Sequence, residues 1–273
     1  MDIIQDYVYH AQEMYDWALS VSDERVADWP LMQSYTPTLL LSAAYLIIIW
    51  LGINFMQNRE PLKLRWILML YNASLVLLNF HIFYELLTAS WRLGYSYSCQ
   101  QVEYSRDPDE MRIASALWWY YISKLVEFLD TVFFILRKKN SQVSFLHVYH
   151  HVTMFPLWWV GVKWVAGGQS FFGAMMNSFI HVIMYTYYGL SGLGPSFQKY
   201  LWWKRYLTRV QLVQFVVGMA HAAQSIYVGC TFPLWMQWSL IVYGLSILSL
   251  FLNFYFHAYV KTSSQRQSVS KLS

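Results

Sequence analysis

Three imidazoles lie within five residues of this sequence. His147-Val148-Tyr149-His150-His151 places them at i, i+3 and i+4, and a helix projects that spacing from one face. Such a cluster supports three kinds of chemistry. The rings can hydrogen-bond structurally within a bundle. They can ligate a metal ion, since neutral imidazole is a common ligand. They can also act as acid, base or nucleophile, because imidazole titrates near neutrality and its unprotonated nitrogen attacks carbonyl carbon. A metal centre made of repeated histidine boxes would need further clusters, whereas His10, His81, His181, His221 and His257 stand alone. Acid, base or nucleophilic work by His147, His150 and His151 is the expectation, with no metal.

Other polar residues recur at helical spacing. Lys124, Glu127 and Asp130 fall at i, i+3 and i+6, and so share a broad helical face. They can form a structural ion-paired set. Alternatively a carboxylate orients a histidine while the lysine pairs with an acid or a substrate anion. Asn177 and His181 are four residues apart, and Tyr185 and Tyr188 continue their face. Arg137-Lys138-Lys139 and Lys204-Arg205 suit either a phosphate-binding rim or plain membrane-topology signals.

The elements that must position these residues are membrane helices. The 273 residues are 57% hydrophobic, 19% aromatic and 12% charged, with mean hydropathy +0.29. A soluble protein carries about twice that charge, so a disordered chain and a soluble globule are both disfavoured. Crossing a bilayer takes about 20 mostly apolar residues. Seven segments qualify: Pro37 to Met56, Trp66 to Tyr84, Ile113 to Leu136, Asn140 to Val162, Gln169 to Leu190, and two from the run Val210 to Val260, which Gly229-Cys230-Thr231-Phe232-Pro233 divides. The pairs Trp118-Trp119, Trp158-Trp159 and Trp202-Trp203 read as interfacial anchors.

Thirteen of the 19 Lys and Arg residues fall on one set of connections. The positive-inside rule makes that side cytosolic and the N-terminus lumenal. One membrane domain, 1–273, follows: a lumenal segment 1–35, a seven-helix core 36–260 and a cytosolic tail 261–273. The first 35 residues show no cleavable signal peptide. Cys99 and Cys230 both fall in lumenal loops, where an oxidising compartment permits a disulfide; two free thiols are the alternative. Either way, acyl transfer from a cytosolic substrate has no cysteine to use, and a histidine could fill that role.

The sequence resembles the very-long-chain fatty acid elongase family over nearly its whole length. The resemblance rests on Lys124-Leu125-Val126-Glu127-Phe128-Leu129-Asp130-Thr131, on the histidine cluster, on Asn177 with His181-Val182-Ile183-Met184-Tyr185, and on Gln211-Leu212-Val213-Gln214-Phe215, in that order. It implies an endoplasmic-reticulum membrane protein whose seven helices include six around an acyl-chain tunnel. It also implies decarboxylative condensation of malonyl-CoA with a long acyl-CoA to 3-ketoacyl-CoA, CO2 and CoA.

On that resemblance His147, His150, His151, His181 and Asn177 are the catalytic candidates. Lys124, Glu127, Asp130, Arg137, Lys138, Tyr185, Lys204, Arg205 and Gln211 are the substrate-binding ones. No cofactor and no nucleic acid is expected. Membrane lipid, a second copy, and the reductases and dehydratase of the elongation cycle are the expected partners. A seven-helix transporter or receptor, whose intramembrane charges would be ion or ligand sites, is the rival from another class, and a membrane desaturase is the rival enzyme.

Overall fold

The computed structural model describes residues 2–261 of the chain. Among these every regular element is helical: α1 (Asp2–Ser20), α2 (Thr36–Met56), α3 (Arg65–Arg92), α4 (Pro108–Val126), α5 (Phe128–Leu136), α6 (Phe145–Val165), α7 (Ser170–Gly192), α8 (Lys204–Tyr227) and α9 (Leu234–Tyr255), which runs on into a π-helical turn, Phe256–Lys261. Three are long and apolar enough to cross a membrane: α2, α3, and α9 with its continuation.

Local sequence sets the boundaries that matter for function. Asp107 caps α4 by accepting from Asp109 N–H, and Pro108 with Asp109 and Glu110 fills the first turn, where a missing N–H costs nothing and negative charge is favoured. Ser144 caps α6 by accepting from His147 N–H, so the histidine cluster begins within the first helical turn. Pro156 inside α6 removes one backbone hydrogen bond from that helix.

α3 packs chiefly on α7 and α4, α8 pairs with α9, and α2 lies against α5 and α6. The main core fills the space between them with Ile82, Leu86, Ile113, Leu117 and Phe155, all fully buried. Stacked pairs reinforce it, Tyr121 on Phe155 at 4.8 Å and Tyr45 on Phe128 at 4.2 Å.

Contacts between connections define two ends of the molecule. At the basic end Leu62 N–H donates to the Leu136 carbonyl, and Arg65 donates to the carbonyl of Leu193 at 2.7 Å. At the other, a disulfide joins Cys99 to Cys230, with Cα atoms 5.4 Å apart. There the Arg25 guanidinium pairs with Asp23 at 2.7 Å and donates to the Ala166 carbonyl, and Gln169 N–H donates to the Gln100 carbonyl.

Gly168 makes that packing possible. Its φ is +54°, and a Cβ there would sit 2.9 Å from backbone atoms of Gln100 and Gln101. Gly168→Ala combines left-handed strain of about 1–2 kcal/mol with overpacking of about 1–3 kcal/mol. It is expected to lower the thermal midpoint in detergent by several degrees.

Glu110 is buried beside Tyr95, whose hydroxyl donates to it at 2.5 Å. Burial raises its carboxyl above the ordinary range, against the opposing hydrogen bond from Tyr95 and the charge of Arg25. A raised carboxyl favours the fold at low pH and loses that contribution as pH climbs through the folded value. Glu110→Gln is therefore expected to gain thermal stability on wild type as pH rises from 4 to 8. A midpoint difference that stays constant across that range would refute the assignment.

Several expectations need correction. The third apolar segment is two helices, because the ladder breaks at Glu127, where Asp130 N–H bonds the Glu127 carbonyl in a tightened turn. The fourth begins with a short 3-10 turn, Asn140–Gln142, and its helix starts only at Phe145. The acidic N-terminal segment, in which the sequence suggested no element, holds α1 and the buried Asp23–Arg25 pair, with its place as a segment before the core unchanged. Trp159 is no interfacial anchor: it is 1% exposed and its indole donates to the Leu31 carbonyl. The tail from residue 262 lies outside the described residues.

Candidate active site

The end of α4 and the turn that breaks it from α5 carry a fully buried pair of charges. Lys124 is 1% exposed and Glu127 0%, and Lys124 Nζ donates to Glu127 Oε1 at 2.8 Å. The same carboxylate oxygen lies 3.2 Å from His181 Nδ1 on α7. Lys124 also approaches Asn177 Oδ1 and His181 Nδ1, each at 3.5 Å, and its ammonium sits over the Tyr120 ring at 4.4 Å. Tyr120 donates to Asn177 Oδ1 at 2.6 Å. Two charges withdrawn this far from water persist only when paired and hydrogen-bonded, and here the pairing fixes the ring of His181 and the amide of Asn177. Asp130 turns elsewhere and accepts from Tyr185 at 2.8 Å.

The histidines of α6 divide their work. His147 Nε2 lies 2.8 Å from Thr131 Oγ1, which is 2.8 Å from the hydroxyl of Tyr45 on α2. His147 and His151 are adjacent, ring centroids 4.3 Å apart. His150 is half-buried and lines the hollow that the helices enclose.

That hollow is a cavity of about 470 Å³ bounded by α5, α6, α7, α8 and α9. It gathers Glu127, Asp130, His147, His150, His151, Asn177, His181, Tyr185, Lys204 and Gln211, ten of the candidate residues that the spacing or the family resemblance singled out. Lys124 stands behind its wall, bonded to Glu127. Arg205 donates to the Tyr255 hydroxyl at 3.1 Å, and Arg137 is not among the lining residues. Lys138 donates to the Gln57 carbonyl and faces a separate hollow of about 260 Å³ against the end of α2.

Sequence reasoning passed over Thr131, Tyr120 and Gln214. The first two are buried hydrogen-bond partners of His147 and Asn177, and Gln214 lines the cavity. Thr131 and Gln214 stand inside motifs already quoted, and a buried hydroxyl one turn from Glu127 was the available signal. Among the described residues no three His, Cys, Asp or Glu side chains converge as a metal-holding group.

An all-helical membrane protein with imidazoles on two facing helices, one of them held by a buried lysine–glutamate pair, has the equipment for acid–base or nucleophilic chemistry beside an apolar recess. The chain belongs to the family described as ELO: GNS1/SUR4 family, whose model matches residues 30–267. Very long chain fatty acid elongase 4 of Mus musculus is 63% identical over 247 residues, 90% of this chain and 79% of the relative. The Macaca mulatta protein of the same name is 60% identical over 259 residues, 95% of this chain and 82% of the relative. Very long chain fatty acid elongase 2 of Mus musculus is 49% identical over 249 residues, 91% and 85% of the two chains.

Proposed function

We propose that this protein is the condensing enzyme of fatty acid elongation, joining malonyl-CoA to a long or very-long-chain acyl-CoA with loss of CO2. The observation that carries the proposal is the meeting of His150, His181 and Asn177 around one cavity, which Lys204 at the start of α8 and the rings of Phe215 and Phe251 also line. The ammonium suits CoA phosphates, and the aromatic rings suit an acyl tail.

The chemistry runs in two stages. The imidazole of His150 attacks the acyl thioester, the C–S bond breaks, and CoA leaves as the thiol with the imidazole proton. Malonyl-CoA then loses CO2, and the electron pair of the broken C–C bond becomes an enolate. The enolate attacks the acyl carbon, and the released imidazolate takes up a proton. Asn177 Oδ1 is engaged by Tyr120 and Lys124, which turns its NH2 into the donor for the enolate oxygen. His181, held through Nδ1 by Glu127, presents Nε2 and donates to the same oxygen when protonated.

In this proposal 1–273 is one membrane domain whose seven passes are α2, α3, α4 with α5, α6, α7, α8 and α9. Six of them surround the acyl tunnel. The basic end faces the cytosol and the disulfide end faces the lumen of the endoplasmic reticulum. A second copy and the reductases and dehydratase that consume a 3-ketoacyl-CoA are the proposed partners.

Purified protein given long-chain acyl-CoA and carboxyl-labelled malonyl-CoA, without reductant, is expected to release labelled CO2 and form 3-ketoacyl-CoA. Rapid quench is expected to trap an acyl adduct on the peptide holding His150, absent from His150→Ala. Absence of both products from folded protein over a broad substrate panel would refute the condensation. Products without any adduct would refute the covalent stage.

A further inference from the structure

Four threonines inside the helices share one habit. Thr88, Thr153 and Thr186 donate to the carbonyls four residues before them, those of Tyr84, Tyr149 and Val182, at 2.8, 2.6 and 2.7 Å. Thr208 does the same to Lys204 at 3.3 Å. Such back-bonding is the local alternative open to a helical threonine. Thr131 of α5 departs from it. Its hydroxyl bonds the Tyr45 hydroxyl of α2 on one side and His147 Nε2 of α6 on the other, each at 2.8 Å. One threonine thus ties three helices together.

Counting donors gives that link a direction. Tyr45 is 3% exposed and Thr131 0%, so neither O–H has water to turn to, and a buried donor left unmade is strongly disfavoured. Among the described residues the Tyr45 hydroxyl bonds Thr131 Oγ1 and no other acceptor, so Tyr45 donates to it. Thr131 donates onward to His147 Nε2. A ring nitrogen that accepts carries no proton, and neutral His147 therefore holds its proton on Nδ1. The reverse order would strand the phenol O–H of Tyr45.

α2 contributes no residue to the cavity lining, yet through this link it acts on a ring that does line it. The stack of Tyr45 on Phe128, at 4.2 Å, sets the phenol in place. His147 Nδ1 makes no hydrogen bond among the described residues. We infer that Tyr45 is a positioning residue for the condensation: through Thr131 it fixes His147 in the Nδ1–H form, as a donor for a thioester oxygen rather than a second base beside His150. This inference rests on the proposed function, because it takes His147 as a group that meets substrate.

Tyr45→Phe keeps the ring and its stack and deletes the oxygen that gives the link its direction. Thr131 can then turn to the Glu127 carbonyl four residues back, as the other four threonines do, and its oxygen accepts from His147 Nε2–H. Turnover is expected to fall about tenfold to a hundredfold, short of the roughly 10⁴-fold lost when a triad histidine is held in the wrong tautomer. The loss should fall on kcat rather than KM, because the donor acts as charge builds on the oxygen. Thr131→Val removes the link and is expected to lose as much; Thr131→Ser keeps the hydroxyl and is expected to recover most of it.

The experiment reads tautomer and reaction separately. Protein carrying isotopically labelled histidine ring nitrogens is reconstituted in lipid, and solid-state NMR spectra are taken at about pH 8, above the usual titration of histidine. The His147 signals are those missing from His147→Gln. Wild type is expected to show the proton on Nδ1, and Tyr45→Phe to move it to Nε2. A proton on Nε2 in the wild type, or a spectrum that Tyr45→Phe leaves unchanged, overturns the inference. So does a folded Tyr45→Phe or Thr131→Val protein whose kcat matches wild type. A tautomer that moves as expected in a protein releasing no CO2 overturns the condensation, and the positioning role with it, while the order of the hydrogen bonds stands.

Discussion

Glu127→Ala is expected to cost about 3–5 kcal/mol of stability, the usual penalty for stripping one partner from a buried ion pair, and to lower condensation by as much as about 10⁴-fold, as when a triad loses the carboxylate that orients its imidazole. Both effects trace to one oxygen: Glu127 Oε1 receives Lys124 at 2.8 Å and His181 at 3.2 Å. The two are separable. Replacing the pair together, Lys124→Met with Glu127→Leu, removes the stranded charge and is expected to restore most of the thermal midpoint. It leaves His181 without its orienting acceptor, so turnover stays low. Thermal unfolding in detergent read beside labelled CO2 release distinguishes the cases. A double variant that regains activity would show that the pair only holds the helices together.

His150→Ala has the opposite profile. The side chain is half-buried and faces the cavity, so its loss is expected to change stability by no more than about 1 kcal/mol. Turnover should fall by at least about 10²–10⁴-fold, the range for a positioned acid or base. His147→Ala provides the contrast. It breaks the chain from Tyr45 through Thr131 to His147 and leaves a buried hydroxyl short of a partner, which costs about 1–3 kcal/mol. It is expected to lower the thermal midpoint more than His150→Ala while lowering turnover less. Equal losses of turnover in the two variants, measured at matched folded concentration, would refute the assignment of His150 as the attacking ring.

The sequence disclosed what depends on short spacing. Twenty-residue apolar stretches announce helices because the bilayer demands their length, and i, i+3, i+4 repeats announce shared faces because the helix turns every 3.6 residues. Thus the spacing alone sets His147, His150 and His151 on one face and Asn177 with His181 on another. What holds those faces lies well beyond such spacing, 16 residues from His147 in Thr131 and 54 from His181 in Glu127. Glu127 chose His181 while Asp130 chose Tyr185, a division that no local pattern encodes. The break at Glu127 was hidden because its flanks are ordinary helix formers. Arg25 gave no signal either, since its partners beyond Asp23 are the backbones of Ser105 and Ala166. Trp159 was misjudged because an indole at a boundary and one donating into the core look alike in one dimension.

The Cys99–Cys230 bridge makes a covalent ring of everything between the two sulfurs, 131 residues of separation that take in α4 through α8. Every residue proposed as catalytic belongs to that ring. A protease that cuts once within it, in the connection between α5 and α6 or between α7 and α8, opens the ring without dividing the molecule. A cut in the connection between α2 and α3 releases a separate piece. The molecule is thus tied to itself around that segment, and a single nick in either of those two connections within the ring should run as one band on a gel until reductant is added.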